Sequence, residues 1–291
     1  MKKSKKHAQK EFDDLPSAIH SYSSILQKII NKKPAIFLDY DGTLTPIVDN
    51  PDEAYLSDDM RSIVKKLAER TQVCMVSGRA VQKVKDFVQL ENLVYAGSHG
   101  FNITGPANLH LEPKGGKNAL EDLTDIEINL QNSLGKIENV AFERKKYALT
   151  VHYRNVKNKK DVAHIKEEVN KAVHDFENVK LEKGRKLLEI KPNVNWHKGK
   201  AILWIMEKLG LNEEDYIPFY IGDDVTDEDG FYALCDKGIT IKVNSHGKKT
   251  YADYKLENVE EVKIFLDTMK SFMGSFDRHF VMDKIKKASA I

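Results

Sequence analysis

The residues Ile36-Phe37-Leu38-Asp39-Tyr40-Asp41-Gly42-Thr43-Leu44-Thr45 form the centre from which the rest of the chain can be interpreted. A short apolar run ends on two aspartates, Asp39 and Asp41, and a glycine then interrupts the strand. Alternation along a strand directs both carboxylates to one side, at the carboxyl end where open α/β sheets place their sites. Two carboxylates held so close repel each other unless a cation lies between them, and oxygen ligands suit Mg²⁺. We therefore predict a magnesium site at the edge of a parallel sheet.

Composition and charge narrow the class of protein. The chain has 291 residues, 41% of them hydrophobic and 31% charged, as expected for a globular protein with a sizeable core. Its net charge of +2 favours neither a nucleic acid nor an acidic partner. The two cysteines, Cys74 and Cys235, lie in apolar contexts that indicate buried thiols and a reducing compartment. With no apolar run long enough for a membrane span and no signal peptide, we expect a cytoplasmic protein without membrane contact.

Two further apolar strands end in polar residues. The strand Gln72–Val76 is followed by Ser77-Gly78-Arg79, where a hydroxyl and the amides of the next helix can hold an anion. The strand Leu93–Ala96 is followed by Gly97-Ser98-His99-Gly100. Ser77 alone is equally well explained as a capping serine, and His99 as a loop histidine or as a residue at the mouth of a cleft.

The second half of the chain supplies a lysine and an acidic turn. Lys198 precedes a helix in Asn195-Trp196-His197-Lys198-Gly199-Lys200-Ala201, and Lys200 is the alternative for any role assigned to Lys198. The strand Ile217–Ile221 ends in Gly222-Asp223-Asp224-Val225-Thr226-Asp227-Glu228-Asp229. Five acids in seven residues suggest a calcium loop, but the glycine and terminal glutamate of an EF-hand are absent.

The segment between these parts has a different pattern. Two strand pairs, around Lys145–Tyr147 and Lys183–Arg185, alternate with helices over about 119–134 and 160–176. We predict an α/β fold, a Rossmann-like parallel-sheet core with an inserted α+β cap domain. The predicted boundaries are an N-terminal tail and helix over 1–32, a core over 33–104 and 193–270, a cap over 105–192, and a C-terminal tail over 271–291. Within these parts we expect helices from Leu15 to about Ile30 and from Val259 to Met269, and a loop at Lys114–Lys117.

The motifs that follow these strands, taken together, resemble those of a known family. Asp39-Tyr40-Asp41-Gly42-Thr43, then Ser77, then Lys198-Gly199-Lys200-Ala201, then Asp223 to Asp227 resemble, in order, the four motifs of the haloacid dehalogenase-type phosphatases. The resemblance implies that Asp39 attacks phosphorus to form an aspartyl-phosphate and that Asp41 acts as acid and base. It also implies that Thr43, Ser77 and Lys198 bind the phosphoryl group. The implied Mg²⁺ site contains Asp39, Asp41 through its carbonyl, Asp223 and Asp227, with Asp224 as an alternative to Asp227.

The segment 105–192 resembles the trehalose-6-phosphate phosphatases. The pattern Glu143-x-Lys145, then His152-Tyr153-Arg154, then Glu189-x-Lys191-Pro192 is similar to theirs, although their last element usually carries arginine where this chain has Lys191. A charged, solvated strand face explains the same residues without a ligand. The resemblance implies substrate contacts by Arg79, His99, Glu143, Lys145, His152, Arg154 and Glu189.

Together these features predict a Mg²⁺-dependent phosphatase for trehalose 6-phosphate. The alternatives are a phosphatase for sucrose phosphate or mannosyl-phosphoglycerate, and a catalytically silent domain that binds a sugar phosphate and regulates a synthase. Phosphomannomutases share the core layout, but no mutase feature is present. The expected partner is a small sugar phosphate, and a trehalose-6-phosphate synthase is a candidate protein partner.

Overall fold

The computed structural model describes residues 7–30, 32–106, 109–111, 114–184, 186–244 and 249–288, and the backbone alone at 111, 114–115 and 275–288. The strands are β1 Lys10–Glu11, β2 Lys33–Leu38, β3 Val73–Val76, β4 Val94–Gly97, β5 Asn102–Gly105, β6 Leu109–Leu111, β7 Ala141–Lys145, β8 Ala148–His152, β9 Val179–Gly184, β10 Leu187–Pro192, β11 Tyr216–Gly222, β12 Ile239–Val243, β13 Lys249–Thr250 and β14 Tyr254–Leu256. The helices are α1 Tyr22–Ile29, α2 Asp58–Ala68, α3 Val81–Val88, α4 Lys114–Leu134, α5 Lys159–His174, α6 Lys198–Lys208, α7 Glu228–Leu234 and α8 Val259–Ala288.

An eight-stranded sheet forms the larger part of the molecule. Its order is β14-β12-β11-β2-β3-β4-β5-β6, and the first six of these strands run parallel. After β2 the chain moves outward through β3 and β4, whereas β11 and β12 lie on the other side of β2. The sheet therefore changes direction at β2, which is where ligand sites occur in open α/β sheets. The predicted α/β fold with a parallel-sheet core is confirmed.

The alternation of β2 explains why its apolar run is continuous. Ile36 and Leu38 pack with one group of buried side chains, which includes residues of α1, α2, α3 and α8. Ala35 and Phe37 pack with a second group, which includes residues of α6 and α7. Since both faces of β2 are covered, no position in it favours a polar residue until the strand ends.

A separate four-stranded sheet has the order β7-β8-β10-β9, with antiparallel neighbours throughout. One of its faces carries Leu149, Val151, Leu188 and Ile190, which pack against α4 and α5 in a third apolar group. The two predicted hairpins are present, as the antiparallel pairs β7–β8, with a turn at residues 146–147, and β9–β10.

Several predicted boundaries differ from those in the structure. The first helix starts at Tyr22 rather than Leu15, because the backbone of Pro16 and Ala18 pairs with Lys255 in an extended conformation. The predicted loop at Lys114–Lys117 is wrong, since α4 begins at Lys114. A Cβ at Gly116 would lie 3.0 Å from the ring of Tyr147, so that glycine allows close packing rather than a turn.

The ends of the core also extend beyond the prediction. Helix α8 continues past Met269 to Ala288, and Met273, one turn after Met269, is buried in the same apolar group as Phe265 and Met269. Strands β5 and β6 were not expected. They add to the eight-stranded sheet in antiparallel orientation, and the predicted boundary between residues 104 and 105 falls within β5. Of the predicted tails, residues 1–6 and 289–291 lie outside the described residues. None of the helices in the part of the chain that the structure describes has both the length and the apolar composition of a membrane span.

Candidate active site

Four adjacent strands bring the predicted residues together. Asp39 follows β2, Ser77 follows β3, His99 follows β4 and Asp223 follows β11. The order β11-β2-β3-β4 is contiguous and parallel, so all four carboxyl ends meet at one edge. Lys198 is the first residue of α6. Distant parts of the sequence thus form one site because of the strand order.

Lys198 forms the centre of a buried ion cluster. Its ammonium donates to Asp39 Oδ1 at 2.7 Å and to Asp227 Oδ1 at 2.6 Å, and its side chain is 3% exposed. Tyr220 also donates to Asp227 Oδ1, and the backbone N–H of Asp224 donates to Asp227 Oδ2 at 2.9 Å. Both oxygens of Asp227 are therefore engaged, which fixes this carboxylate against the lysine. Lys200 donates instead to the carbonyl of Asn195 and is not part of the cluster.

The pKa values in the cluster follow from burial and from neighbouring charges. Burial raises the pKa of Asp39 well above its ordinary value; Lys198 opposes this, whereas Asp227 adds to it. Burial alone would lower the pKa of Lys198, but the carboxylates of Asp227 and Asp39 raise it above its ordinary value. Burial would also raise the pKa of Asp227, yet the lysine beside it keeps that pKa below its usual range. We infer a charged Lys198 between two acids.

The donor set fits a divalent cation. Asp39, Asp223 and Asp227 are buried, and each offers a carboxylate oxygen within 4.8 Å of the others. Burial, with Asp227 and Asp224 nearby, raises the pKa of Asp223 to about 6. One ammonium does not neutralise three carboxylates, and oxygen donors at this spacing are ligands that Mg²⁺ prefers. Gly42, at φ +77°, makes room for this arrangement, because a Cβ there would lie 2.1 Å from Asp223 Oδ2.

Asp41 lies apart from the buried acids. Arg79 Nε donates to Asp41 Oδ2 at 2.6 Å and Arg79 Nη2 donates to Asp41 Oδ1 at 2.5 Å, so the guanidinium grips both carboxylate oxygens. The side chain of Asp41 is 36% exposed, against 6% for Asp39. Although the two aspartates are two residues apart, the structure pairs the buried Asp39 with a buried lysine and the partly exposed Asp41 with an arginine.

Two hydroxyl groups lie among these charges. Thr43 Oγ1 is 3.5 Å from Asp223 Oδ1, and the side chain of Thr43 is fully buried. Ser77 is also buried, and its Oγ accepts a hydrogen bond from the N–H of Arg79 at 3.1 Å. Since that oxygen accepts from the backbone, the Ser77 hydroxyl can donate its own proton to an anion.

His99 occupies a left-handed turn. The φ angles of Ser98 and His99 are +49° and +56°, a conformation that non-glycine residues rarely adopt. The ring lies against Gly78, where a Cβ would be 2.7 Å from His99 Cε1. Burial, and then the ammonium groups of Lys198, Lys191 and Lys145, lower the pKa of His99 to about 3. At neutral pH the imidazole is therefore uncharged and can act as a hydrogen-bond partner without adding charge.

The strand register places the predicted cap residues on one polar face of the four-stranded sheet. Glu143 is paired with Thr150, Thr150 with Glu189, and Glu189 with Glu182, so this row shares a face. Glu143 lies 3.4 Å from the ammonium of Lys145 and 3.1 Å from His152 Nε2. Burial alone would raise the pKa of Glu143, but Lys145 and His152 hold it below its usual range.

Arg154 does not belong to this row. Strand β8 ends at His152, and Arg154 is exposed in the turn that follows, so the alternation that predicts a shared face with His152 does not reach it. Lys191, the departure from the family pattern, lies 2.5 Å from Glu182 Oε2. Glu182 was not predicted, although the alternation of β9 with β10 would have indicated it. A cavity of about 420 Å³ is lined by Glu182 and Lys191 on one side and by Thr226 and Lys242 on the other.

Sequence reasoning also missed Tyr220 and Lys242. Lys242 is almost fully buried and donates to the carbonyl of Asp224 at 3.0 Å, with Glu228 Oε1 at 3.3 Å. A lysine within the apolar strand Ile239–Val243 is a signal that could have identified it. Tyr220 gives no such signal, because an aromatic residue is ordinary in a buried strand.

Comparison with known proteins identifies similar chains. A family profile described as Trehalose-phosphatase matches residues 37–260. The chain is 40% identical over 273 residues to probable trehalose-phosphate phosphatase E of Arabidopsis thaliana, covering 89% of this chain and 76% of that one. It is also 40% identical over 275 residues to trehalose 6-phosphate phosphatase RA3 of Zea mays, with the same coverage. A crystal structure of trehalose-6-phosphate phosphatase from Aspergillus fumigatus is similar, with a TM-score of 0.66, 26% identity and coverage of 88% of this chain and 99% of that one.

Proposed function

Because this chain belongs to the trehalose-phosphatase family, we propose that it hydrolyses trehalose 6-phosphate to trehalose and inorganic phosphate through an aspartyl-phosphate. The observation that carries the proposal is the Asp39–Lys198 pair at the carboxyl edge of the sheet. A carboxylate at 2.7 Å from a buried ammonium is a nucleophile whose charge is held in place, and the same ammonium can attract the phosphate. A silent sugar-phosphate binder has no need of this pair or of Asp41.

In the first half-reaction Asp39 attacks phosphorus, and the bond from phosphorus to the sugar oxygen breaks. Asp41 gives its proton to that oxygen, which leaves as a hydroxyl. Lys198, Thr43 and Ser77 lie where they can hold the phosphoryl oxygens, and Asp227 keeps Lys198 in position through its fixed carboxylate. In the second half-reaction Asp41 takes a proton from water, which attacks phosphorus and releases Asp39 as a free carboxylate.

Asp39 and Asp223, with the carbonyl of Asp41, would hold Mg²⁺, and the oxygens of Asp227 are already bonded within the cluster. When bound, Mg²⁺ neutralises charge on the phosphoryl oxygens and on the buried acids. The residues of the chain then bind and orient the phosphoryl group and transfer the protons.

Specificity is proposed to come from residues 105–192 acting as a cap over the core at 33–104 and 193–270. The polar face of the four-stranded sheet carries Glu143, Lys145, His152 and Glu189, which offer acceptors and donors for sugar hydroxyls. The cytoplasmic location and the synthase partner remain predictions.

We expect a panel of sugar phosphates with Mg²⁺ to show strong preference for trehalose 6-phosphate in phosphate release, because the polar row offers donors and acceptors to the hydroxyls of a second sugar. The panel includes sucrose 6-phosphate, mannosyl-phosphoglycerate and glucose 6-phosphate. Glu143→Gln tests the cap, and Glu167→Gln on the exposed face of α5 is its matched control. Preference for another sugar phosphate would reject the substrate, and no release from any compound by folded protein would reject the phosphatase.

We expect Mg²⁺ to raise the melting temperature of the protein, because the cation removes repulsion among buried acids. Saturation at one hundred times the dissociation constant corresponds to about 2.7 kcal/mol. Folding raises the pKa of Asp223 to about 6. Between the ordinary pKa of an aspartate and pH 6, the folded state therefore binds more protons than the unfolded state. Metal-free protein should therefore lose stability as the pH rises through this window. The stability gained on adding Mg²⁺ should be largest at pH values above the window.

This expectation is checked by thermal unfolding with Mg²⁺ or with EDTA on both sides of pH 6. Asp223→Asn should lose the response, and Asp236→Asn, an exposed acid outside the site, should keep it. An equal response in both variants would place the cation elsewhere.

A further inference from the structure

Arg79, for which the family resemblance implied a substrate contact, is engaged within the protein by three of its atoms. Nε and Nη2 donate to the two oxygens of Asp41, and Nη1 donates to the carbonyl of Pro51 at 2.7 Å. The Arg79 side chain is 15% exposed, and its guanidinium lies 5.2 Å from the ring centre of Phe87. The carboxylate of Asp41 raises the pKa of Arg79, against the effect of its burial.

We propose that Arg79 is a positioning residue for Asp41, and that it sets the direction in which the acid–base carboxylate faces rather than binding the substrate. This inference rests on the proposed function. A planar guanidinium that meets both oxygens of a carboxylate fixes the plane of that carboxylate as well as its distance, which a lysine does not do. Each carboxylate oxygen still has a second lone pair, so Asp41 can exchange a proton on the side away from Arg79.

The surroundings of Arg79 explain why its guanidinium group is held in one position. Its backbone N–H donates to Ser77 Oγ and its carbonyl accepts from Ser98 N at 2.7 Å, so the residue is joined to β3 and to the turn that bears His99. On the other side, the loop that carries Pro51 is fastened to α3 by the ion pair of Asp52 with Lys83 at 2.7 Å. Tyr55 packs edge-on against Phe87 at 5.1 Å in the same region.

The backbone of Asp41 is also held, so the freedom left to this residue is rotation of its side chain, which the arginine controls. Gly42 N–H donates to the carbonyl of Thr45 at 2.8 Å, and Leu44 N–H donates to the carbonyl of Tyr40 at 2.9 Å. This turn fixes Cα of Asp41, but a half-exposed carboxylate would still rotate about its side-chain bonds. Arg79 removes that rotation and thereby favours proton transfer in both half-reactions.

The two half-reactions make this role testable, because they depend differently on the leaving group. A sugar oxygen needs the proton of Asp41 when it leaves, whereas p-nitrophenolate leaves without one. With p-nitrophenyl phosphate, therefore, only the second half-reaction depends on Asp41. A displaced Asp41 should let Asp39 become phosphorylated once and then delay the hydrolysis of the aspartyl-phosphate by water.

The experiment uses the full chain with Mg²⁺ and compares wild type, Arg79→Met, Arg79→Lys and Arg61→Met. Arg61 is the matched control, because it also bonds backbone carbonyls, three of them, and an aspartate but lies on α2 outside the site. We expect Arg79→Met to lower kcat on trehalose 6-phosphate by about 10² to 10³-fold with little change in KM. With p-nitrophenyl phosphate it should release one equivalent of p-nitrophenolate per enzyme in a burst, followed by slow turnover. Guanidinium chloride at millimolar concentration should restore part of the lost rate.

A rise in KM with unchanged kcat would show that Arg79 binds the substrate and would overturn the proposal. An equal loss of kcat on both substrates, without a burst, would show that Arg79 only stabilises the fold. That result would also overturn the proposal. If Arg79→Met does not fold, Arg79→Lys provides the test. The lysine ammonium keeps the positive charge but not the planar pair of donors, so this variant should also have a lower kcat. A folded lysine variant with wild-type kcat would contradict the proposal. Failure of the wild type to hydrolyse any phosphate monoester would instead reject the proposed function itself.

Discussion

Asp39→Asn is expected to reduce phosphate release by a factor of about 10⁴ or more, because it removes the nucleophile on which the phosphoryl group would be carried. The substitution leaves an amide oxygen that can still accept from Lys198 at the same place. It also removes a buried carboxylate whose pKa burial raises, so the metal-free variant should be as stable as the wild type or more so.

Steady-state turnover, thermal unfolding and the intact mass of protein quenched during turnover check this prediction. Quenched wild type should carry one additional phosphoryl group on part of the molecules, and Asp39→Asn should carry none. Asp86→Asn on the exposed face of α3 is the matched control and should behave as the wild type. Turnover retained by Asp39→Asn would show that another residue is the nucleophile.

Lys198→Met is expected to abolish turnover and to lower the free energy of unfolding by about 3–5 kcal/mol, the usual consequence of leaving buried charges without a partner. Lys198 donates to both Asp39 and Asp227, which are almost fully buried. Methionine preserves most of the side-chain volume, so the effect reports the lost charge rather than a cavity.

The pH dependence of that loss has a definite sign. In the wild type Lys198 keeps the pKa of Asp227 low, so Asp227 adds stability above its ordinary pKa and loses this contribution in acid. Without Lys198, burial leaves both acids with raised pKa values, so the folded variant binds protons more readily than the unfolded chain. The variant should therefore be least stable near neutral pH and recover as the pH falls towards about 5.

Denaturant unfolding at several pH values, in the presence of EDTA, measures this effect. Lys200→Met is the matched control, because Lys200 lies two residues away and contacts only a backbone carbonyl in the described structure. A loss of equal size in both variants would assign the effect to the start of α6 rather than to the ion cluster. A loss that does not vary with pH would contradict the charge argument.

Much of the core could be predicted from the sequence because its signals are local. A continuous apolar run that ends in Asp39 and Asp41 indicates a strand buried on both faces with a site at its end, and β2 has this structure. The apolar residues of α2, which include Met60 and Leu67, recur with a helical period and are buried, because that periodicity determines which face meets the sheet. The family, too, could be recognised from the order of the motifs.

The departures arise where long-range contacts overrule local preference. Residues 15–21 have a helical period, yet Pro16 and Ala18 pair with Lys255, more than two hundred residues away. Gly115 and Gly116 are typical of a loop, but α4 starts there and the small residue packs beneath Tyr147. No local pattern contains either partner.

The sequence by itself determined the fold class and the strands that end in polar residues. Only the tertiary structure decided which charge faces which: that Lys198 lies between Asp39 and Asp227, and that Arg79 holds Asp41. The reason is physical. Burial and periodicity depend on neighbours along the chain, whereas an ion pair depends on strand order and register, which bring together residues that are far apart in the sequence.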